Sequence, residues 1–212
     1  MKHTFIFLAI LFSSISLSAQ WKVGPKVSTG IILQDAQSYR ILAMSDHRIY
    51  DLDFVGGTSS HSAGIMAHRN LGPFFLQTEV LATRYSLEFR MDKFKSLNQS
   101  SPIYTEDYYI IEIPFIAGIQ LKNNFKLGLG PVADIKADKD SQFQSLDYYN
   151  DTTKSIEYGF QALVGYNKGI FHVDLKYINK FSSIADGFNF GDDDMKLDKS
   201  ANRLSLSVGV AF

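Results

Sequence analysis

Cysteine is absent from the 212 residues. That excludes disulfide staples, thiolate metal sites and the cysteine-linked lipid of a lipoprotein. Beyond the first twenty residues there is no apolar run approaching the roughly 20 residues a membrane helix requires. Neither sign of charge dominates: 21 Lys and Arg stand against 22 Asp and Glu, for a formal net charge of −1. The basic footprint of a nucleic-acid-binding protein is therefore missing, and no nucleic-acid partner is expected. Proline occurs five times and tryptophan once. Hydrophobic residues still make up 45% of the chain, yet mean hydropathy is only −0.06. Apolar residues must be interleaved with polar ones rather than gathered into runs. Aromatics reach 14%, nearly all of them Tyr and Phe.

The first segment has its own anatomy. A short basic start (Lys2, His3) leads into an apolar run from Phe5 to Phe12 and then a small-residue stretch ending Ser18-Ala19. This is the pattern of a secretory signal peptide over residues 1–19, with residues 20–212 left as one domain. If the exported chain lies in a membrane without helices, it must do so as a closed barrel, because lipid leaves no other way to satisfy strand backbones.

The stretch from Thr105 to Lys136 shows the organising pattern. Tyr109, Ile111, Ile113, Phe115, Ala117, Ile119 and Leu121 share one parity, against Tyr108, Glu112, Gly118 and Gln120. After Lys122-Asn123-Asn124, Phe125, Leu127, Leu129, Ala133 and Ile135 alternate with Lys126, Gly128, Gly130, Asp134 and Lys136. Strict period two on both sides of a tight turn predicts a β-hairpin. The same alternation recurs over about 21–32, 60–69, 74–90, 155–166, 170–180 and 201–212, which makes eight strands. Connections alternate between tight turns (near Gly72, Asn123 and Lys168) and long polar loops, the longest being Leu33–Ser59. The predicted fold is all-β, an eight-stranded antiparallel transmembrane β-barrel with up-and-down meander order.

Charge supports that expectation. The apolar parity carries no charge in its central part. The opposite parity carries Lys22, Lys26, Glu79, Glu112, Lys126, Asp134, Asp174, Lys176 and Arg203. A charge turned outward near a bilayer midplane costs about 2–4 kcal/mol, so this segregation is what lipid demands. Aromatics at strand ends (Trp21, Phe74, Tyr109, Phe125, Tyr158, Tyr166, Phe171, Tyr177) suit the two interfaces, and Phe212 is the natural C-terminal insertion signal. A soluble lipocalin-like ligand carrier would alternate in the same way with its faces reversed. Pro114 and Pro131 fall inside strands, where a missing N–H suggests a bulge or a strand end close to the rim.

The nine charged residues on the inner parity form the candidate site. They can act as a plug of paired charges filling the lumen or as the lining of a polar pore. Asp192-Asp193-Asp194 with Asp198 does not have calcium-loop spacing and reads as a solvated loop. His61, His68 and His172 with Ser60 and Ser62 lack a motif that would make them a hydrolase triad. Gly128-Leu129-Gly130 lacks the third glycine and the helix of a phosphate loop, and Asn98-Gln99-Ser100 matches a glycosylation acceptor without a context that would use it. No catalytic residue, metal site or cofactor is expected, and the protein is read as non-enzymatic.

Several of these residues also resemble a family. Glu112-Ile113-Pro114 followed by Gly128-Leu129-Gly130-Pro131, with Gln77-Thr78-Glu79 before them, is similar to PorT-like outer-membrane barrels. So are the opening Val23-Gly24-Pro25-Lys26-Val27-Ser28-Thr29-Gly30, the Tyr177 strand and the closing Ser207-Val208-Gly209-Val210-Ala211-Phe212. The resemblance implies a porin-like protein of the outer membrane of Bacteroidota-type bacteria, with no catalytic residues. Its partners would be outer-membrane lipid, the barrel-insertion machinery and proteins met at the extracellular loops or in a secretion complex. Three roles follow as expectations: a structural or interaction barrel, an accessory of a type IX-like secretion system, or a small-solute channel.

Overall fold

Each of the eight alternating segments pairs with its neighbours in the structure, a computed structural model. It describes residues 21–33, 38–43, 48–57, 59–93, 102–142, 149–151, 156–181, 188–190, 193–195 and 202–212. The expected signal peptide, Asn98-Gln99-Ser100, Asp192, Asp198 and the side chains of Asp193 and Asp194 lie outside the described residues. The strands are β1 (Lys22–Leu33), β2 (Ser38–Ala43), β3 (Arg48–Gly57), β4 (Ser60–Leu71), β5 (Phe74–Lys93), β6 (Ile103–Gln120) and β7 (Phe125–Ser141). They continue as β8 (Tyr149–Asp151), β9 (Ile156–Lys168), β10 (Phe171–Lys180), β11 (Phe188–Phe190), β12 (Asp193–Met195) and β13 (Asn202–Val210). Eight of them, in the order β1-β4-β5-β6-β7-β9-β10-β13, form an antiparallel meander, and β13 pairs back onto β1 to close the barrel. Among the described residues no helix is long and apolar enough to cross a membrane.

Three tight turns sit at one rim, and their backbones need the left-handed region that glycine and asparagine tolerate best. Gly72 and Gly169 have φ of 66° and 65°, and Asn123 and Asn124 have 65° and 69°. Phe212 lies at this rim too. Its backbone N–H and C=O exchange bonds with Val23 at 3.2 Å each, and its ring points outward, 72% exposed.

The register fixes the tilt. Moving from partner to partner around the barrel from Lys22, through His68, Gln77, Ile116, Gly130, Gln161, Ile178 and Arg203, returns to β1 at Ile32, ten residues further on. Ten residues of stagger over eight strands correspond to a tilt of about 40°. On β5 the outward positions run from Phe74 to Ala82 before the first charge, Arg84. At about 3.3 Å per residue and this tilt, the ten-residue interval from Phe74 to Arg84 is about 25 Å tall.

The two mid-strand prolines correct the sequence reading. Neither makes a bulge, and neither lies at a strand end. The β5–β6 register is the same on both sides of Pro114, from Thr78↔Phe115 to Leu81↔Glu112, with only the ladder between them interrupted. The β6–β7 register likewise runs unchanged past Pro131. Each proline removes one ladder bond and leaves the alignment intact, and Thr78 Oγ1 donates to Pro114 O at 2.9 Å on the affected side. The β6–β7 bulge falls elsewhere, between Tyr109 and Ile110 opposite Ala137.

Beyond the other rim the sheet continues. The Leu33–Ser59 segment, expected to be a polar loop, contains the hairpin β2–β3. β3 pairs with the upper half of β5, from Gly57↔Leu87 to Tyr50↔Lys93, so β5 and β6 stand on as a sheet above the barrel. β8, β11 and β12 make a separate three-stranded sheet from the two later connections.

Candidate functional site

The inner parity positions the site. Lys26 on β1, Gln77 and Glu79 on β5, Lys126 on β7, and Asp174 and Lys176 on β10 all point into the lumen and are 0–1% exposed. They meet in one layer. Lys26 Nζ lies 2.5 Å from Glu79 Oε1 and 2.6 Å from Asp174 Oδ2. Lys126 Nζ is 2.8 Å from Asp174 Oδ1, and Lys176 Nζ is 2.8 Å from Glu79 Oε2. Gln77 accepts from Lys126 at 2.8 Å and donates to both carboxylates, at 2.6 Å and 3.1 Å. Every carboxylate oxygen thus faces a cation. Buried charges persist only when paired and hydrogen-bonded in this way. Packed against one another in this way, the six side chains shut the lumen at this level.

The register explains how the layer assembles. Gly165 on β9 pairs with Lys126 on one side and Asp174 on the other. Because it has no side chain, the Lys126 arm can cross β9 to reach Asp174. A Cβ at Gly165 would meet Asp174 Oδ1 at 2.3 Å and Lys126 Cε at 2.4 Å. Gly165→Val is therefore expected to cost at least the roughly 1–3 kcal/mol of an overpacked core, measured as a lowered urea midpoint of the detergent-folded barrel. Gly128 has a related role nearer the turns, where a Cβ would strike Ile116 and the Phe75 ring.

A second layer lies above the first. Asp134 is flanked in register by Glu112 and Glu157, a row of three carboxylates. Arg203 pairs with Glu112 and Lys180 with Asp134. Higher still, Glu106 accepts from Tyr108 Oη at 2.7 Å and Ser141 Oγ at 2.7 Å and lies 3.3 Å from Lys139 Nζ. Towards the turns the charges give way to rings and apolar chains. His68 stacks on Phe75 at 5.5 Å and meets His172 at 5.0 Å, beside the Phe75–Ile116–Leu163 cluster. Buried side chains occupy the lumen at each of these levels.

The outer face is the complement. Val27, Ile65, Val80, Phe115, Leu129, Val164, Leu175 and Leu206 are large, apolar and exposed. At Arg84 the polarity inverts. Above it the outward positions of β5 are Arg84, Ser86, Glu88 and Arg90, while the inward Leu87 and Phe89 are buried with Phe54. No protein-family model matches this chain, and no curated protein sequence matches it. What the chain does must be argued from this distribution of charge.

Of the nine residues expected inside, Lys26, Glu79, Glu112, Lys126, Asp134, Asp174, Lys176 and Arg203 are buried and ion-paired within the barrel. Lys22 is only half-buried, at the turn-side mouth. Sequence reasoning missed Gln77 and Lys180, which share the parity of Glu79 and Asp174 and could have been included. It also missed the Glu106–Lys139 pair, which it could not have found, because the bulge at Ala137 flips Lys139 onto the inner face. The histidines and serines do not assemble into a triad, although His68 and His172 meet. His61 is outside, 3.0 Å from Ser59 Oγ, whereas Ser60 and His68 are eight residues apart on β4, about 26 Å along the strand. Among the described residues no group of three or more His, Asp or Glu side chains is placed to hold a metal ion.

Proposed function

We propose that this chain is a non-enzymatic outer-membrane barrel with a closed lumen, which works through the sheet it raises above the membrane. One observation carries the reading: charged residues fill the inside while the outward face is apolar, a belt running on β5 for about 25 Å from Phe74 up to Arg84, where outward charges begin. The belt matches the apolar band of a membrane barrel. It disfavours a lipocalin-like carrier, which needs the opposite faces. In this reading the tight turns and both ends of the barrel face the periplasm. Phe212 serves as the handle for the barrel-insertion machinery, and β2, β3 and the upper parts of β5–β7 meet partners outside the cell.

The absence of cysteine makes the orientation simple to test. A membrane-impermeant maleimide added to intact cells should label Arg90→Cys and leave Lys122→Cys unlabelled until the envelope is opened. The reverse pattern would invert the topology, and recovery of the protein without detergent in the soluble fraction would end the membrane reading. The buried layer of charges across the lumen disfavours a small-solute channel, so no conductance is expected in a planar bilayer. On residue resemblance alone, we also propose kinship with PorT-like barrels. A secretion defect on deletion, with large partners co-purifying, would support a place in a type IX-like machine.

A further inference from the structure

The side chains of the rim that carries the turns have only one sign of charge. Residues 21–25, 66–74, 118–125, 166–172 and 210–212 include Lys22, Arg69, Lys122 and Lys168 and no aspartate or glutamate. Lys122 and Lys168 are exposed on their turns, and Lys22 and Arg69 are half-buried on adjacent strands. The four are spread around the barrel, at β1–β4, at the β6–β7 turn and at the β9–β10 turn. The opposite rim mixes signs: Arg84 pairs with Asp107 at 3.2 Å, and Asp138 and Asp140 are exposed.

Aromatics mark the depth of this basic ring. Trp21, Phe74, Phe125 and Phe171 are exposed and outward at the same rim, where rings settle at a lipid–water interface. The guanidinium carbon of Arg69 lies 5.8 Å from the centre of the Trp21 ring, so cation and ring are held at one level. Cations at the level of an aromatic girdle lie at headgroup depth, where they attract anionic lipid. Guanidinium and ammonium groups both bind phosphate oxygens.

We propose that this rim selects anionic phospholipid headgroups in the leaflet it faces, with Arg69, Lys122 and Lys168 as the phosphate-binding cations and Lys22, at the lumen mouth, adding to the positive field. The proposal rests on the membrane reading above and deepens it by naming the lipid class. Trp21 is the only tryptophan in the chain, and it lies beside the ring, so its fluorescence reports the lipid next to it. The full barrel would be reconstituted into vesicles containing brominated phosphatidylglycerol or brominated phosphatidylcholine at equal mole fraction.

At low salt the anionic lipid is expected to quench Trp21 at least twofold more strongly. That preference should fall at least by half in Lys22→Gln/Lys122→Gln/Lys168→Gln, which spares Arg69 and so leaves the ring contact unchanged. It should fall similarly in 1 M salt, where the screening length shrinks to about 3 Å. Equal quenching by the two lipids, or a preference that the triple variant retains in full, would overturn the proposal while leaving the membrane reading intact. No quenching by either lipid would sink the membrane reading and this inference together.

Discussion

Asp174→Ala is expected to destabilise the barrel by about 3–5 kcal/mol, the range for removing one partner from a buried ion pair. Asp174 holds Lys26 and Lys126 and accepts from Gln77. Without it, Glu79 is the one carboxylate left in a buried layer of three ammonium groups. Lys26 and Lys176 keep Glu79, and Lys126 keeps only the amide oxygen of Gln77. Urea unfolding of the detergent- or bilayer-folded protein measures the loss. Lys126→Met/Asp174→Leu replaces the pair by apolar groups and should recover part of it, leaving a coupling of about 0.5–3 kcal/mol between the two sites. A single-variant loss under about 1 kcal/mol, well below the range for a buried pair, would mean the layer is hydrated and the lumen open.

Leu129→Arg tests the opposite face. Leu129 is 56% exposed and sits between Ala117 and Ala162 in register, near mid-height in the belt. Against lipid the arginine should cost about 2–4 kcal/mol. The same substitution at Tyr158, exposed at the upper edge of the belt, should cost about 0–1 kcal/mol, because the penalty fades toward the interface. In a water-facing barrel both changes would stay within about 0.5 kcal/mol of neutral, as surface substitutions generally do. The difference between the two variants is therefore a depth measurement, read as the folded fraction recovered in bilayers. Equal and small costs would place water, not hydrocarbon, around these strands.

Strand number, strand faces and the alternation of short and long connections are legible in the sequence because each follows from local pattern. Period two assigns every residue to one of two faces, and a charged side chain declares which face cannot meet lipid. The inner residues Lys26, Glu79, Lys126, Asp174 and Lys176 therefore stand out as a set from their parity and charge. Gly72, Asn123 and Gly169 stand out as turns because few residues tolerate φ near 65°. The prolines mislead a local reading because a missing N–H disturbs one ladder bond, whereas the register is held by the many pairs on either side.

Tertiary structure alone decided which charge meets which. Lys126 reaches Asp174 only because the register lays Gly165 between them. Register is a long-range quantity, set by closure of the whole barrel with its ten-residue stagger. The Glu106–Lys139 pair depends on one bulge, which exchanges the faces of β7 beyond Ala137. The sheet above Arg84 depends on β3 finding β5 across thirty or more residues of sequence. Parity is written in the chain one residue at a time, but contact across a lumen exists only once eight strands have agreed on their alignment.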